Sequence, residues 1–254
     1  MSFCGMMTDG VRNFWTLHLP LSWPWWIGYF RAPQDKAYAF LYHDANNPNR
    51  AGKLHARMNP QQQLSRMGFI LAGGKSSRMG ADKASLDFGG RTLLERALAV
   101  MGETCANIAI VGDAAKFGAY GAVVEDIYPG CGPLAGIHAA LLHSSAELNM
   151  ALAVDVPFVS RDLLAFLFTV ANDSDAMVTV PRTARGFQPL CAVYRRSFAA
   201  TAEEALQAGK YKIDALFSGI AVRVIGEEEL ARAGFSERTF FNVNTPGDLR
   251  TAKK

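Results

Sequence analysis

Apolar positions along this chain come in short continuous runs, separated by stretches where they recur every three or four residues. Residues 69–72, FILA, are four apolar positions that stop at Gly73-Gly74, which reads as a short buried strand entering a turn. Comparable runs occur at 107–111, 122–124, 149–154, 176–180, 190–194 and 222–225, with a further strand-like run at 240–243. Between them lie helical segments. Thr92 and Glu95 form a capping-box pattern that opens a helix reaching about Met101. Pro133 suits the first turn of a helix ending near His143, and Ser160 caps one ending near Val170. Helices are also expected over 197–207 and 227–233 and from Thr245-Pro246 onward, after a basic-flanked segment at 210–218. Strands alternating with helices predict an α/β domain, a mainly parallel sheet with helices on both faces.

The first 66 residues do not share this pattern. They hold all four tryptophans (Trp15, Trp23, Trp25, Trp26) and five of the eleven prolines. The apolar run from Leu17 to Phe30 is interrupted by His18, Pro20, Ser22 and Pro24, too broken for a spanning helix and unlike a secretory signal. Polar residues follow, DANNPNR at 44–50 and NPQQQ at 59–63. We expect residues 1–66 to be a poorly ordered extension or the product of an upstream start, with Met58 and Met67 as alternative starts, and residues 67–254 to be the functional domain. A Trp-rich docking peptide is the alternative for the extension.

Charge supports the same division. The net charge is +3, but residues 1–66 carry seven Lys/Arg against three Asp/Glu, and residues 67–254 carry nineteen against twenty. The basic excess lies outside the domain, so a nucleic-acid partner is not implied. Cys4, Cys105, Cys131 and Cys191 show no CxxC spacing and no His–Cys cluster, which fits reduced, mostly buried thiols in a cytoplasmic protein. His138 and His143 are five apart, not the four of a helical metal pair, and read as core or surface residues.

The candidate chemistry sits at strand ends, where open α/β sheets bind ligands. After the first strand come Gly73 and Gly74, then Lys75, Arg78 and Lys83 within eleven residues, a plausible seat for a polyphosphate. The spacing excludes a Walker A loop, because Gly74 and Gly80 are separated by five residues and Ala81 follows Gly80. It also excludes GxGxxG, because the two glycines are adjacent. Asp126 follows the third strand and Asp155 the fourth, in VDVP. A carboxylate ending a hydrophobic strand suits Mg²⁺, which takes oxygen ligands from one or two carboxylates and substrate phosphates. Asp155 is the first choice as metal ligand, with Arg78, Lys83 and Asp155 as the catalytic set. A turn or helix-cap aspartate is the competing reading for both acids.

The stretch 71–84, LAGGKSSRMGADKA, resembles the signature LAGGxSxRMGxDK of a nucleotidyltransferase family, most of all the molybdenum cofactor guanylyltransferases. The Asp126 segment, GPLAG at 132–136 and DVP at 155–157 follow in the order that family shows. The resemblance covers about 67–254 and implies a three-layer Rossmann-like nucleotidyltransferase fold. It implies GTP contacts at Leu71, Ala72, Gly73, Gly74, Lys83, Asp126 and Asp155. It also implies pterin contacts in the segments QPLCAVY at 188–194 and NVNTP at 242–246, carried by Gln188, Asn242 and Asn244. The implied reaction joins GMP from Mg-GTP to the phosphate of molybdopterin or its molybdenum form. Molybdoenzyme chaperones and other cofactor-synthesis proteins are the implied protein partners, and no membrane partner is implied. One departure is IVGD at 110–113, where some members carry an asparagine that contacts the nucleotide. A cytidylyl- or sugar-phosphate nucleotidyltransferase of the same fold is the nearest alternative, and a non-catalytic nucleotide- or cofactor-binding protein the more distant one.

Overall fold

A computed structural model describes residues 66–73 and 82–252. The extension proposed at 1–66 falls, but for Arg66, outside these residues, as do Gly74 and Arg78. The strands are β1 (Arg66–Leu71), β2 (Asn107–Val111), β3 (Ala122–Val124), β4 (Leu148–Ala153), β5 (Val178–Thr183), β6 (Gly186–Phe187), β7 (Cys191–Arg195) and β8 (Val222–Ile225). The helices are α1 (Leu93–Gly102), α2 (Ala114–Phe117), α3 (Pro133–His143), α4 (Arg161–Asn172), α5 (Phe198–Gln207), α6 (Glu227–Arg232) and α7 (Pro246–Ala252).

The strands form one sheet in the order β3-β2-β1-β4-β7-β5-β6, with β8 paired to β5. β1 to β4 run parallel, and β8 is parallel to β5. β7 is antiparallel to both β4 and β5, and β5 turns back into β6 as a short hairpin. The sheet is therefore mainly parallel, with two reversed strands, β7 and the short β6, that apolar content could not reveal, because an apolar run carries no direction. The strand expected at 240–243 is absent. A 3-10 turn, Glu237–Phe240, leads into irregular chain there. Its apolar pattern reflects burial of Phe240 and Val243 in the core rather than a ladder.

Side chains of each strand alternate between two cores. Ile70 and Ile110 pack under α1 and α4, while Phe69, Leu71, Ala109 and Val111 pack against α3 and α5. Full burial of a residue such as Phe69 or Leu164 contributes about 1.5–3 kcal/mol, so both faces are firmly held. Gly68 has a packing role in β1. A Cβ there would lie 2.4 Å from Met101 Cγ and 2.5 Å from its Sδ, so glycine lets α1 lie against the strand. Local signals set the helix starts. Thr92 and Glu95 close a reciprocal capping box, and Ser160 accepts from the Leu163 amide. The result is a set of parallel strands, β1 to β4, that all open at one edge.

Candidate active site

Three segments distant in sequence converge just beyond the carboxyl end of β4. Asp155 lies two residues past the strand. Its neighbour Val154 donates its amide to Leu71 O at 3.2 Å, and its own carbonyl accepts from the Val243 amide at 2.8 Å. The main chain at Asp155 is thus tied to the end of β1 on one side and to the 241–244 segment on the other. Lys83 arrives on a 3-10 turn, Lys83–Ser85, whose N-cap Asp82 accepts from the Ala84 amide and pairs with Lys116 at 2.7 Å.

The Lys83 ammonium lies 3.0 Å from Asp155 Oδ2 and 2.6 Å from Asn244 Oδ1. The lysine and aspartate side chains are 25% and 14% exposed, so their attraction is less screened than at an open surface. The other carboxylate oxygen, Asp155 Oδ1, is buried and has no hydrogen-bond partner among the described residues. Buried carboxylate oxygens are normally satisfied. An orphaned one beside a cationic residue fits a hard cation, for which carboxylate oxygen is a usual ligand. Among the described residues no three His, Cys, Asp or Glu side chains gather as a ready-made metal cage. Such a cation would therefore take most of its ligands from a bound substrate or from water.

Asp126 follows β3 and sits against the first turns of α3. A Cβ on Gly136 would lie 3.1 Å from both Leu71 Cδ2 and Val111 Cγ1, and 3.5 Å from Asp126 Oδ1. Glycine at 136 therefore allows α3 to press onto the ends of β1 and β2 while Asp126 borders it. Partial burial pushes the Asp126 carboxyl above its ordinary pKa. The strands leading to Asp126 and Asp155 are three positions apart in the sheet, about 14 Å between axes, with the mouth of β1 between them.

The remaining sequence-predicted residues divide. Leu71, Ala72 and Gly73 lie at that mouth, but the amides of Ala72 and Gly73 both donate to Val111 O, at 3.0 and 3.1 Å. These two bonds secure the end of β1 to β2. Gln188 directs its amide nitrogen to Thr183 Oγ1 and Gly186 O in the β5–β6 hairpin, with no hydrogen bond to Lys83 or Asp155. Two residues on, the Leu190 carbonyl accepts from the Ala153 amide at the end of β4, at 2.7 Å. Asn242 and Asn244 flank the Val243 contact to Asp155, so their segment borders the site directly. An open cavity of about 460 Å³ lies at the ends of β5 and β8, lined by Arg182, Thr183, Arg232 and Glu227 to Glu229.

Sequence reasoning missed Asp248. Its Oδ2 accepts from the Asn244 and Thr245 amides at 3.0 and 2.8 Å, and Thr245 Oγ1 accepts from the Asp248 amide at 3.1 Å. The signal was present as Thr245-x-x-Asp248, a capping-box spacing. His138, read as a core or surface residue, is buried at 1% exposure beside the Tyr128 ring, and burial lowers its pKa.

The family model for the MobA-like NTP transferase domain matches residues 68–222. A relative from Pelotomaculum thermopropionicum, named a probable molybdenum cofactor guanylyltransferase, is 38% identical over 192 residues, 75% of this chain and 93% of that protein. A molybdenum cofactor guanylyltransferase from Desulfosudis oleivorans is 32% identical over 189 residues, covering 73% and 93%. The crystal structure of molybdopterin-guanine dinucleotide biosynthesis protein A from Archaeoglobus fulgidus superposes with a TM-score of 0.67 at 29% identity, covering 74% of this chain and 96% of that one.

Proposed function

This chain belongs to the MobA-like NTP transferase family, and from that premise we propose that it transfers GMP from Mg-GTP to the phosphate of molybdopterin or its molybdenum form. The products are the guanine dinucleotide cofactor and pyrophosphate. The observation that carries the reading is the divided Asp155 carboxylate, with Oδ2 on Lys83 and Oδ1 buried without a hydrogen-bond partner among the described residues. Similarity to relatives bearing the guanylyltransferase name supports guanine as the base.

In this reaction the acceptor phosphate attacks the α-phosphorus and pyrophosphate departs. The protein lowers the barrier by aligning the two substrates and neutralising phosphate charge. Asp155 would hold Mg²⁺ through its open oxygen, and the bound ion would supply charge neutralisation on the triphosphate. Lys83 and Arg78 would hold the triphosphate and stabilise the leaving pyrophosphate, lysine as a mobile point charge and arginine as a fork. Leu71 to Gly74 and Asp126 would border the nucleotide at the mouth of β1. Gln188, Asn242 and Asn244 would face the acceptor. That acceptor phosphate is already ionised at neutral pH, so the site needs no strong general base.

The transferase domain is residues 67–254, and the extension before it is dispensable for the chemistry. The enzyme works in the cytoplasm, where GTP is supplied, and hands its product to molybdoenzymes directly or through their chaperones. The deciding assay is pyrophosphate release with each of the four NTPs, with and without molybdopterin. Release that requires both GTP and the pterin supports the proposal. Release with CTP, or with a sugar phosphate as acceptor, overturns it in favour of a related transferase, and nucleotide binding with no release in any combination favours a non-catalytic binder.

A further inference from the structure

The last turn before α7 contains a chain of contacts that reaches the candidate catalytic lysine from the acceptor side. Asp248 Oδ2 accepts from two successive amides, Asn244 and Thr245, and Thr245 Oγ1 accepts in return from the Asp248 amide. These three bonds fix the backbone at Asn244, while the neighbouring Val243 amide is bound to the Asp155 carbonyl. The Asn244 side chain projects from this fixed backbone, and its Oδ1 lies 2.6 Å from Lys83 Nζ.

An ammonium only donates, so the amide of Asn244 has one workable orientation: Oδ1 toward Lys83, with the two N–H donors of Nδ2 turned the other way. Asn244 can therefore grip a donor-side cation and offer hydrogen bonds to an anionic acceptor with the same side chain. The Asp248 carboxylate is held ionised by the Asn244 amide first and then by Thr245, with Lys83 adding to the same effect, so it keeps its acceptor role at neutral pH.

We propose that Asp248 is a positioning residue, acting through Asn244 to set the Lys83 ammonium between the nucleotide and acceptor halves of the site. The inference rests on the guanylyl-transfer reading for its rate consequences, but not for its geometry. Asp248 touches neither substrate, and the link runs Asp248 to the Asn244 backbone, Asn244 Oδ1 to Lys83, and Lys83 to Asp155.

The test uses the full chain with Asp248→Ala, Asp248→Asn, Asn244→Ala and the double variant Asp248→Ala/Asn244→Ala. The first readout is independent of catalysis: lysine labelling by acetic anhydride, followed by peptide mass spectrometry, with Lys116 as internal reference. Lys83 labelling rises several-fold in Asp248→Ala and Asn244→Ala, and stays near the unsubstituted level in Asp248→Asn, whose amide oxygen can still accept. The second readout is transfer itself. Asp248→Ala lowers kcat about tenfold with KM for GTP within about twofold, as expected for lost alignment rather than lost ground-state binding. Adding it to Asn244→Ala costs nothing further, because the effect passes through that residue. Unchanged labelling of Lys83 in Asp248→Ala, or losses that multiply in the double variant, overturns the proposal. If Asp248→Ala does not melt cooperatively, Asp248→Val takes its place in both readouts, with the same rise in Lys83 labelling expected. An unsubstituted chain that shows the labelling pattern but no transfer would sink the guanylyl-transfer reading and leave the positioning role standing.

Discussion

Lys83 Nζ lies 3.0 Å from Asp155 Oδ2, although 72 residues separate the two in the chain. The contact joins the end of the glycine-rich segment to the mouth of β4 and leaves Asp155 Oδ1 without a partner among the described residues. Each charge has a separate task in transfer, so each can be removed on its own. Asp155→Ala should abolish metal-dependent pyrophosphate release, by about a hundredfold or more. Asp155→Asn should keep the Lys83 contact but weaken Mn²⁺ binding followed by electron paramagnetic resonance. Full activity in Asp155→Ala would sink the metal assignment.

Asp126 should show the opposite trend in stability from its trend in activity. Its partly buried carboxyl has a raised pKa through desolvation, so the folded state holds the proton more tightly than the unfolded chain. The stability it contributes is fully present below the unfolded pKa and is lost as pH rises through the folded one. At pH 7 the ionised carboxylate is therefore a burden, limited by its exposed side. Asp126→Asn should melt slightly higher than the unsubstituted protein at pH 7, with the curves converging toward pH 4, while transfer falls. Differential scanning fluorimetry across that range checks the sign, and a lower melting point at pH 7 contradicts it.

Gly68→Ala tests the packing of β1 against α1. The added Cβ would fall 2.4 Å from Met101 Cγ, and Met101 is fully buried. Overpacking of this kind costs about 1–3 kcal/mol. Urea denaturation should show the loss as a lower midpoint, and a midpoint equal to that of the parent would mean the helix shifts freely.

Thiol reactivity should divide sharply. Burial pushes Cys105 and Cys191 up to about 12, so neither forms appreciable thiolate at pH 8. Cys131 is only half-buried, at the loop before α3. Iodoacetamide on the native protein, read by peptide mass spectrometry, should modify Cys131 well before the other two. Equal labelling of Cys105 would show that the α1 end of the core opens readily.

Removing residues 1–66 should leave transfer within about twofold of the full chain, since the family match begins at residue 68. A folded but inactive truncated protein would assign the extension a part in the site.

Features of this molecule are legible in the sequence wherever the signal is local. The capping box at Thr92 and Glu95, the Ser160 cap and Pro133 at a first turn act within a few residues, and the helices begin where they direct. The candidate metal acid is legible because a charge ending a hydrophobic strand has few structural reasons to be there. Gly136 does not stand out in the sequence, because its importance lies in what other segments bring against it, whereas Asp248 is marked by its capping-box spacing from Thr245 and only its link through Asn244 to Lys83 needs the fold. Gln188 is legible as a segment but not as a direction, since its amide turns into a hairpin, β5–β6, that its apolar neighbours do not signal.

The amino-acid sequence alone is enough for the alternation of strands and helices, the position of the glycine-rich turn and the residue types available for phosphate and metal. These follow from backbone sterics, capping chemistry and the period of apolar positions. The assembled fold was needed to show that β7 runs antiparallel between β4 and β5, and that Lys83, Asp155 and Asn244 share one hydrogen-bonded cluster. Strand direction and side-chain meetings are set by the burial of two cores at once, one on each face of the sheet. That constraint couples residues up to 161 positions apart and leaves no trace in any short window of sequence.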